Sequence, residues 1–182
     1  MNIDRYLNEL IKREGNYVNN SADRGGATKY GITEKVARVN GFKGNMRDLP
    51  LETAKAIYKK QYWIAPRFDR INLISPVVAE ELLDTGVNCG ISFAKPLLQR
   101  ALNLLNNQGK SGWSDLSVDS IYGPATLNAL TVYVAKRGKE GEKVLSRVLN
   151  IMQGQRYIEI AERNPSQEQF FYGWIVNRIS FN

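Results

Sequence analysis

The first fifteen residues carry the pattern that most restricts the fold, an apolar helical stripe that ends in an acid. Apolar side chains recur every three or four residues, at Ile3, Tyr6, Leu7, Leu10 and Ile11. This spacing predicts an amphipathic helix with one face against a core. Glu14 continues the same row, and Gly15 directly after it is a helix-stop signal. The chain is therefore expected to hold a carboxyl group at the end of its first core-facing stripe.

That position disfavours a negative charge on Glu14. Partial burial favours the neutral form of a carboxyl group, and the negative pole at the end of a helix acts in the same direction. Both effects raise the pKa of a carboxyl group, so Glu14 is a candidate general acid near neutral pH. The alternative interpretation is an ordinary solvated glutamate near a helix end.

The next stretch, residues 16–33, alternates turn clusters with short runs such as Tyr17-Val18 and Tyr30-Gly31-Ile32. This alternation predicts a small twisted sheet of two or three short strands after the first helix. The sheet brings a second acid, Asp23, close to Glu14 in sequence. Two carboxyl groups across a cleft are the minimum for cleaving a glycosidic bond, because one protonates the leaving oxygen and the other positions water or stabilises positive charge.

Three motifs in this region resemble the amino end of a known family. They read Glu14-Gly15-Asn16-Tyr17-Val18-Asn19, Asp23-Arg24-Gly25-Gly26-Ala27-Thr28 and Tyr30-Gly31-Ile32-Thr33. They resemble the E-G-G-Y-x-N, D-x-G-G-x-T and x-G-I-T motifs of glycoside hydrolase family 108, a family of phage endolysins that are N-acetylmuramidases. Shorter similarities continue as far as Gly173-Trp174 and Asn177-Arg178, so the resemblance covers nearly the whole chain.

The resemblance implies a mainly α, lysozyme-like α+β fold. Its parts are an amino-terminal helix, a small antiparallel β-sheet that bears the cleft, and then a helical bundle. It also implies hydrolysis of the β-1,4 bond between N-acetylmuramic acid and N-acetylglucosamine in peptidoglycan. Glu14 matches the catalytic glutamate of the family. Asp23 matches the second motif and is expected to position water or to stabilise positive charge, with the capping of its own turn as the alternative role.

A third catalytic position follows from the wider phage lysozyme group. In that group, eight residues separate the catalytic glutamate from an acid or a cysteine, and five more residues separate that position from a threonine. Here eight residues separate Glu14 from Asp23, but only four separate Asp23 from Thr28. The resemblance therefore assigns the water-holding hydroxyl to Thr28, with Tyr30 and Thr33 as alternatives.

Further residues are candidates for binding the glycan. Tyr30 and Tyr62 offer rings that stack on sugars, although many aromatic side chains in any domain serve only to pack the core. Thr33 offers a hydroxyl group. Asn88 lies between apolar neighbours, and a buried amide there would brace the cleft or bond the substrate. We expect no metal and no cofactor, because the chain has no histidine and only one cysteine, Cys89.

The rest of the chain has the pattern of a helical region. Pro50, Pro76 and Pro124 are helix-start signals, and a glycine pair, Gly138 and Gly141, predicts an interruption before a last long helix. We expect a lysozyme-like catalytic region over residues 1–108. Residues 109–182 are expected to form a helical carboxyl-terminal region packed on the first as one compact unit, with peptidoglycan binding as one role open to it.

One motif in the carboxyl-terminal region bears on wall binding. Asp119 to Leu127 resembles the turn and helix start of three-helix peptidoglycan-binding modules, which members of the family often carry after the catalytic part. The alternative is that Gly123-Pro124-Ala125-Thr126 is simply a good helix start.

Charge and composition restrict the partners. The net charge is +7, but the basic residues are spread, and no zinc spacing, helix-turn-helix or RNA-binding strand pattern is present. We therefore expect peptidoglycan glycan strands, not nucleic acid, as the partner. No apolar run approaches the length of a membrane span, and the amino terminus has the pattern of a helix, not of a signal peptide. We expect a monomer without stable membrane insertion, made in the cytoplasm and released to the wall by a holin.

Three functions remain open from the sequence. The first and preferred one is a muramidase of the lysozyme type. The second is a lytic transglycosylase with the same fold, in which Glu14 alone serves as acid and base and the muramic 6-hydroxyl replaces water. The third is a non-catalytic wall-binding protein that retains the fold.

Overall fold

The computed structural model describes residues 1–14, 17–18 and 26–179, and it describes only the backbone of Arg13 and Glu14. Asp23 lies outside these residues. The chain divides into two compact units, Asn2–Ala65 and Pro66–Asn182, with Met1 joining the second. The predicted functional division between residues 108 and 109 stays a prediction.

The first unit begins with the predicted amphipathic helix. Helix α1 spans Ile3–Glu14, and its stripe is confirmed, since Leu7, Leu10 and Ile11 are buried. Helix α1 packs on helix α3, Leu51–Tyr58, which buries Ala54, Ile57 and Tyr58. The period of the apolar residues therefore decided which face of α1 enters the core.

The predicted small sheet is an antiparallel hairpin. Strand β1, Thr28–Lys29, pairs with strand β2, Ile32–Thr33, so that Thr28 faces Thr33 and Lys29 faces Ile32. Val18 adds an isolated antiparallel bridge to Thr28. Tyr30 and Gly31 form the turn, with φ of 54° and 74°, and not the strand predicted there. Two positive φ angles give the turn a twist that matches the paired strands, and glycine adopts such an angle without strain.

Short helical elements complete the first unit. Helix α2, Glu34–Val39, follows β2 directly, and a 3₁₀ turn spans Met46–Asp48. Helix α3 begins directly after Pro50, as predicted, and continues into a π-helical turn, Lys59–Ile64. Trp63 in that turn is buried, together with Met46 and Leu49 from the preceding segment.

The second unit is a helical bundle organised around helix α5. Helices α4, Phe68–Ile74, α6, Ile91–Leu104, and α7, Pro124–Arg163, all pack against α5, Pro76–Cys89. A 3₁₀ turn, Pro165–Gln167, leads to helix α8, Glu168–Arg178, which packs on α7.

Local sequence signals set the ends of these helices. Helices α5 and α7 begin at the two predicted prolines, Pro76 and Pro124. The hydroxyl of Ser75 accepts a hydrogen bond from the N–H of Val78 at 3.4 Å and caps α5. The predicted interruption in α7 lies at Gly138, whose φ of 59° and ψ of −155° are not helical.

These elements confirm the mainly α, lysozyme-like fold class with one small antiparallel sheet. Across residues 1–14, 17–18 and 26–179, no helix combines the length and the apolar character that a membrane span requires.

Candidate functional site

Thr28 lies in strand β1 between two paired neighbours, Val18 and Thr33. The N–H and the carbonyl group of Thr28 each bond Val18 at 2.8 Å on one side, while Thr33 pairs on the other side. The Oγ1 atom of Thr28 is buried and has no hydrogen-bond partner within the described residues. A buried hydroxyl without a partner costs about 1–3 kcal/mol, which a bound water or a sugar hydroxyl would recover.

Tyr30 is held by its backbone at the turn of the hairpin. The hydroxyl of Tyr58 donates a hydrogen bond to the carbonyl oxygen of Tyr30 at 3.1 Å. The Nζ atom of Lys29 lies 5.0 Å from the centroid of the Tyr30 ring. A bulky residue is rarely found at positive φ, so this conformation stores strain of about 1 kcal/mol or more. Strain held in this way is more frequent at functional sites, and the half-buried ring of Tyr30 remains partly accessible.

Thr33 has a structural task. Its hydroxyl accepts a hydrogen bond from the N–H of Val36 at 3.4 Å, which caps the amino terminus of α2. A capping hydroxyl of this kind stabilises a helix by about 1 kcal/mol. This use leaves Thr33 less available than Thr28 as a water-holding group.

Tyr62 lies in the π-helical turn after α3. Its ring centroid is 5.6 Å from that of Tyr58, with a tilt of 36° between the two planes. Trp63, the next residue, is only 4% exposed, while Tyr62 is half-buried. Single π-helical turns inside α-helices are frequent at functional sites. The binding of sugar by Tyr62 stays a prediction.

The structure describes the backbone of only one of the two predicted catalytic acids. Glu14 is the last residue of α1, about one turn beyond the buried Leu10 and two turns beyond the buried Leu7, but its side chain lies outside the described residues. Asp23 lies outside them altogether. The catalytic roles of both residues stay predictions.

Asn88 lies near the end of α5, in the second unit. Its side chain is exposed, and its amide donates a hydrogen bond to the carbonyl oxygen of Asp84 at 2.8 Å, one turn earlier in the same helix. The amide is therefore not the buried group that its apolar neighbours suggested. Its binding of substrate stays a prediction.

The sequence did not single out the basic residues beside the hairpin. The guanidinium carbon of Arg47 lies 4.6 Å from the centroid of the Tyr17 ring, and the carbonyl oxygen of Arg47 accepts a hydrogen bond from Lys29 Nζ. A cation over an aromatic ring holds both side chains in place. Tyr17 belongs to the first motif of the resemblance, which is the one signal in the sequence that points to this contact.

In the second unit, the buried side chain of Gln99 organises the segment from Asp119 to Thr126. Its Nε2 atom donates hydrogen bonds to Asp119 Oδ1 at 2.8 Å and to Thr126 Oγ1 at 3.2 Å. Its Oε1 atom accepts one from the N–H of Ser120 at 2.9 Å. The bond from Gln99, followed by the one from the N–H of Ile121, lowers the pKa of Asp119. These polar groups of the motif therefore hold the start of α7 in place.

A group of buried polar residues joins α5 to α7 and α8. Burial raises the pKa of Glu81 to about 7, against a hydrogen bond from Asn150 that lowers it. Asp84 accepts a hydrogen bond from Gln153 at 3.0 Å and forms an ion pair with Arg178 at 2.9 Å. Periodicity gave no sign of this group, because its members are far apart in the sequence.

Across the described part of the chain, no group of three or more histidine, cysteine, aspartate or glutamate side chains is arranged to hold a metal ion.

Comparisons with known proteins agree with the sequence motifs. The family model described as Glycosyl hydrolase 108 matches residues 7–90, and the one described as Predicted Peptidoglycan domain matches residues 94–179. No curated protein matches the chain significantly. The structure of Brucella abortus SagA is similar with a TM-score of 0.61 and 20% identity, over 96% of this chain and 87% of that one. At this identity, the likeness shows a shared fold alone.

The two family matches follow each other and together span nearly the whole chain. They confirm the resemblance that the motifs indicated, and they support a glycoside hydrolase that acts on peptidoglycan. The chain therefore matches the glycosyl hydrolase 108 family model over residues 7–90 and the model of a predicted peptidoglycan domain over residues 94–179.

Proposed function

We propose that this chain is a lysozyme-type muramidase that hydrolyses the β-1,4 bond between N-acetylmuramic acid and N-acetylglucosamine. The observation that carries the proposal is the family match over residues 7–90. That segment contains Glu14 at the carboxyl end of α1 and the hairpin of β1 and β2.

Glu14 is the general acid of the proposed reaction. It protonates the glycosidic oxygen as the bond breaks, while the carboxylate of Asp23 positions the attacking water or stabilises the oxocarbenium-like centre. The burial of Leu7 and Leu10 supports this role, because Glu14 continues their row on α1. The carboxyl end of a helix also favours the protonated form of an acid, which is the form that donates.

Thr28 is the water-holding hydroxyl in the proposed site. Three hydroxyl groups are candidates from the sequence, and that of Thr33 already caps α2. The buried Oγ1 of Thr28 has no partner within the described residues, so it can bond a water or a sugar hydroxyl without breaking an internal bond. Tyr30, at the turn, offers its ring to the sugar.

Digestion of purified peptidoglycan, followed by mass spectrometry of the new chain ends, tests the reaction. A muramidase leaves reducing N-acetylmuramic acid. Ends with 1,6-anhydro-muramic acid would instead mean a lytic transglycosylase, and the absence of product would mean a wall-binding protein without catalysis. Either of these two results would refute the proposed hydrolysis.

The Glu14→Gln variant tests the general acid. Glutamine keeps the size of the side chain but has no proton to donate, so cleavage should fall by about 10²- to 10⁴-fold while the melting temperature holds. Glu9→Gln is the matched control, since Glu9 is an exposed acid on the same helix and forms an ion pair with the exposed Arg5 at 3.3 Å. Near-normal turnover of Glu14→Gln would contradict the assignment.

The Asp23→Asn variant separates the two roles of Asp23. If the carboxylate acts on water or on the charged centre, the rate falls and the melting temperature is unchanged. A lower melting temperature with nearly unchanged specific activity would instead show that Asp23 caps its turn.

Release by a holin and a monomeric state also stay predictions. Expression in a wall-bearing bacterium, with turbidity followed before and after permeabilisation of the membrane, tests the first. Lysis that begins without permeabilisation would contradict it. Light scattering of the purified chain measures its mass and tests the second.

A further inference from the structure

The second unit contains a pocket that combines positive charge with aromatic surface. This cationic pocket has a volume of about 360 Å³ and lies between residues 107–113 and helix α7. Its charged lining consists of Lys110, Lys136 and Arg137, and no acidic residue lines it. Within the part of the chain that the structure describes, none of these three cations forms an ion pair. The pocket therefore has an uncompensated positive charge.

Local backbone geometry builds one wall of the cationic pocket. Gly112 has a φ of 103°, and a Cβ atom at this position would lie 2.8 Å from Lys136 Nζ. Only glycine therefore allows the loop to approach the lysine this closely without strain. The loop therefore passes close to the ammonium group of Lys136.

The break in α7 directly follows the last residue of the pocket lining, Arg137. Helical geometry is interrupted at Gly138, directly after Lys136 and Arg137. The hydroxyl of Tyr133 donates a hydrogen bond at 2.8 Å to the carbonyl oxygen of Gly141, on the far side of the break. This bond fixes the two halves of α7 around the pocket.

Trp113 provides a hydrogen-bond donor without an acceptor. The side chain is only 8% exposed and packs edge-on against Tyr133, with 6.1 Å between the ring centroids. The Nε1 atom of Trp113 is buried and has no hydrogen-bond partner among the described residues. Buried indole N–H groups usually have a partner, and they can only donate. Trp113 and Tyr133 thus give the pocket aromatic surface, while the three cations favour a ligand that is negatively charged and accepts hydrogen bonds.

We propose that the cationic pocket binds the free carboxylates of the peptide stem of peptidoglycan. This proposal rests on the proposed action on peptidoglycan. The sugar backbone is neutral apart from the lactyl carboxyl group of muramic acid, and in the wall that group is consumed in the amide bond to the stem. The remaining negative charges of the polymer are the stem carboxylates, which accept hydrogen bonds and pair with lysine and arginine.

This assignment gives the second unit a role in catalysis on the wall. Cleavage of the glycan requires repeated encounters between the enzyme and the same strand. A stem held in the cationic pocket keeps the first unit at a high local concentration of glycosidic bonds, even when each contact is weak. The pocket therefore selects strands that carry peptide over bare glycan.

Each cation contributes modestly, because all three side chains are exposed to water. We expect a loss of about three- to fivefold in affinity for each single replacement by glutamine, and of about 30- to 100-fold for the triple variant Lys110→Gln, Lys136→Gln, Arg137→Gln. Binding should weaken as salt is added.

Isothermal titration calorimetry of the full chain tests the proposal with three soluble probes. The first is the disaccharide of N-acetylglucosamine and N-acetylmuramic acid with a tetrapeptide stem. The second is the same compound with its stem carboxylates amidated, and the third is the disaccharide without peptide, with its lactyl carboxyl group converted to an amide. Lys139→Gln is the matched control variant, since it removes one positive charge from α7 and lies outside the pocket lining.

The expected result is binding of the first probe, at least about tenfold weaker binding of the other two, loss of binding in the triple variant, and no change in Lys139→Gln. Equal affinity for all three probes would overturn the proposal, as would the absence of binding by any of them. Equally tight binding of single-stranded DNA would also overturn it by showing a general surface for anions. Cleavage of peptidoglycan is measured separately by its products, so a failure here is distinguishable from a failure of the muramidase proposal.

Discussion

The ionisation of Glu81 should make the stability of the second unit depend on pH. Burial raises the pKa of this carboxyl group from 4.5 to about 7, the hydrogen bond from Asn150 opposes the rise, and the negative charges of Asp84 and Glu80 add to it. Below pH 4.5 the group is protonated in both the folded and the unfolded chain. Between 4.5 and 7 the folded chain keeps a proton that the unfolded chain has lost, so stability falls as pH rises. Above about 7 both states are ionised and the dependence ends.

The size of the effect follows from the difference between the two pKa values. Each pKa unit corresponds to about 1.4 kcal/mol, so Glu81 should reduce the free energy of unfolding by about 2–3 kcal/mol between pH 5 and pH 8. The variant Glu81→Gln keeps a neutral group that can still accept from Asn150. It should remove this contribution and leave the remaining pH dependence of the chain unchanged.

Urea denaturation at pH 5, 6, 7 and 8, followed by tryptophan fluorescence, measures the effect. A Trp63→Phe background leaves Trp113 and Trp174, which both lie in the second unit. Glu80→Gln is the matched control, because Glu80 is the exposed neighbour of Glu81 and the weakest of the influences on its pKa. If Glu81→Gln shows the same pH dependence as the wild type, the reasoning from burial is wrong.

Three further variants test the hydrogen bonds and the turn. Gln99→Leu should lower the free energy of unfolding by about 2–4 kcal/mol in denaturation experiments, because it leaves several groups without a partner, whereas the exposed Gln155→Leu should change it by less than about 0.5 kcal/mol. Thr28→Val keeps the shape of the side chain and removes Oγ1, so glycan cleavage should fall while the melting temperature holds or rises. Unchanged cleavage would exclude Thr28 as the water-holding group. Tyr30→Asn should raise the melting temperature, since asparagine tolerates positive φ, and a raised KM would identify the lost ring as a sugar contact.

Local signals in the sequence predicted most of the elements. The apolar row of α1 gave its buried face, and proline marked the first residues of α5 and α7. The alternation of turn clusters and short runs over residues 16–33 predicted a small sheet, although the sequence placed Tyr30 in a strand and the structure places it in the turn. These features depend on residues within a few positions of each other, so short-range sterics and hydrogen bonds decide them.

The candidate catalytic residues came from motif order and helix periodicity. Periodicity identified the row that Glu14 extends, and the family match supports the motif that contains it. The choice among hydroxyl groups needed the tertiary structure, because capping occupies Thr33 and leaves Thr28 without a partner within the described residues. A sequence gives the donors and acceptors but not their pairing.

The sequence by itself predicted most of the helices, the small sheet and the family resemblance, because these depend on side-chain period, turn chemistry and the order of short motifs. Only the tertiary structure decided which charged side chains are buried and which lie at the surface without an opposite charge beside them. Glu81 meets Asn150 across 69 positions of sequence, and the cationic pocket joins Trp113 to Lys136 from different segments. The free energy of a charge depends on the water and the partners around it, and packing sets both between segments distant in the chain.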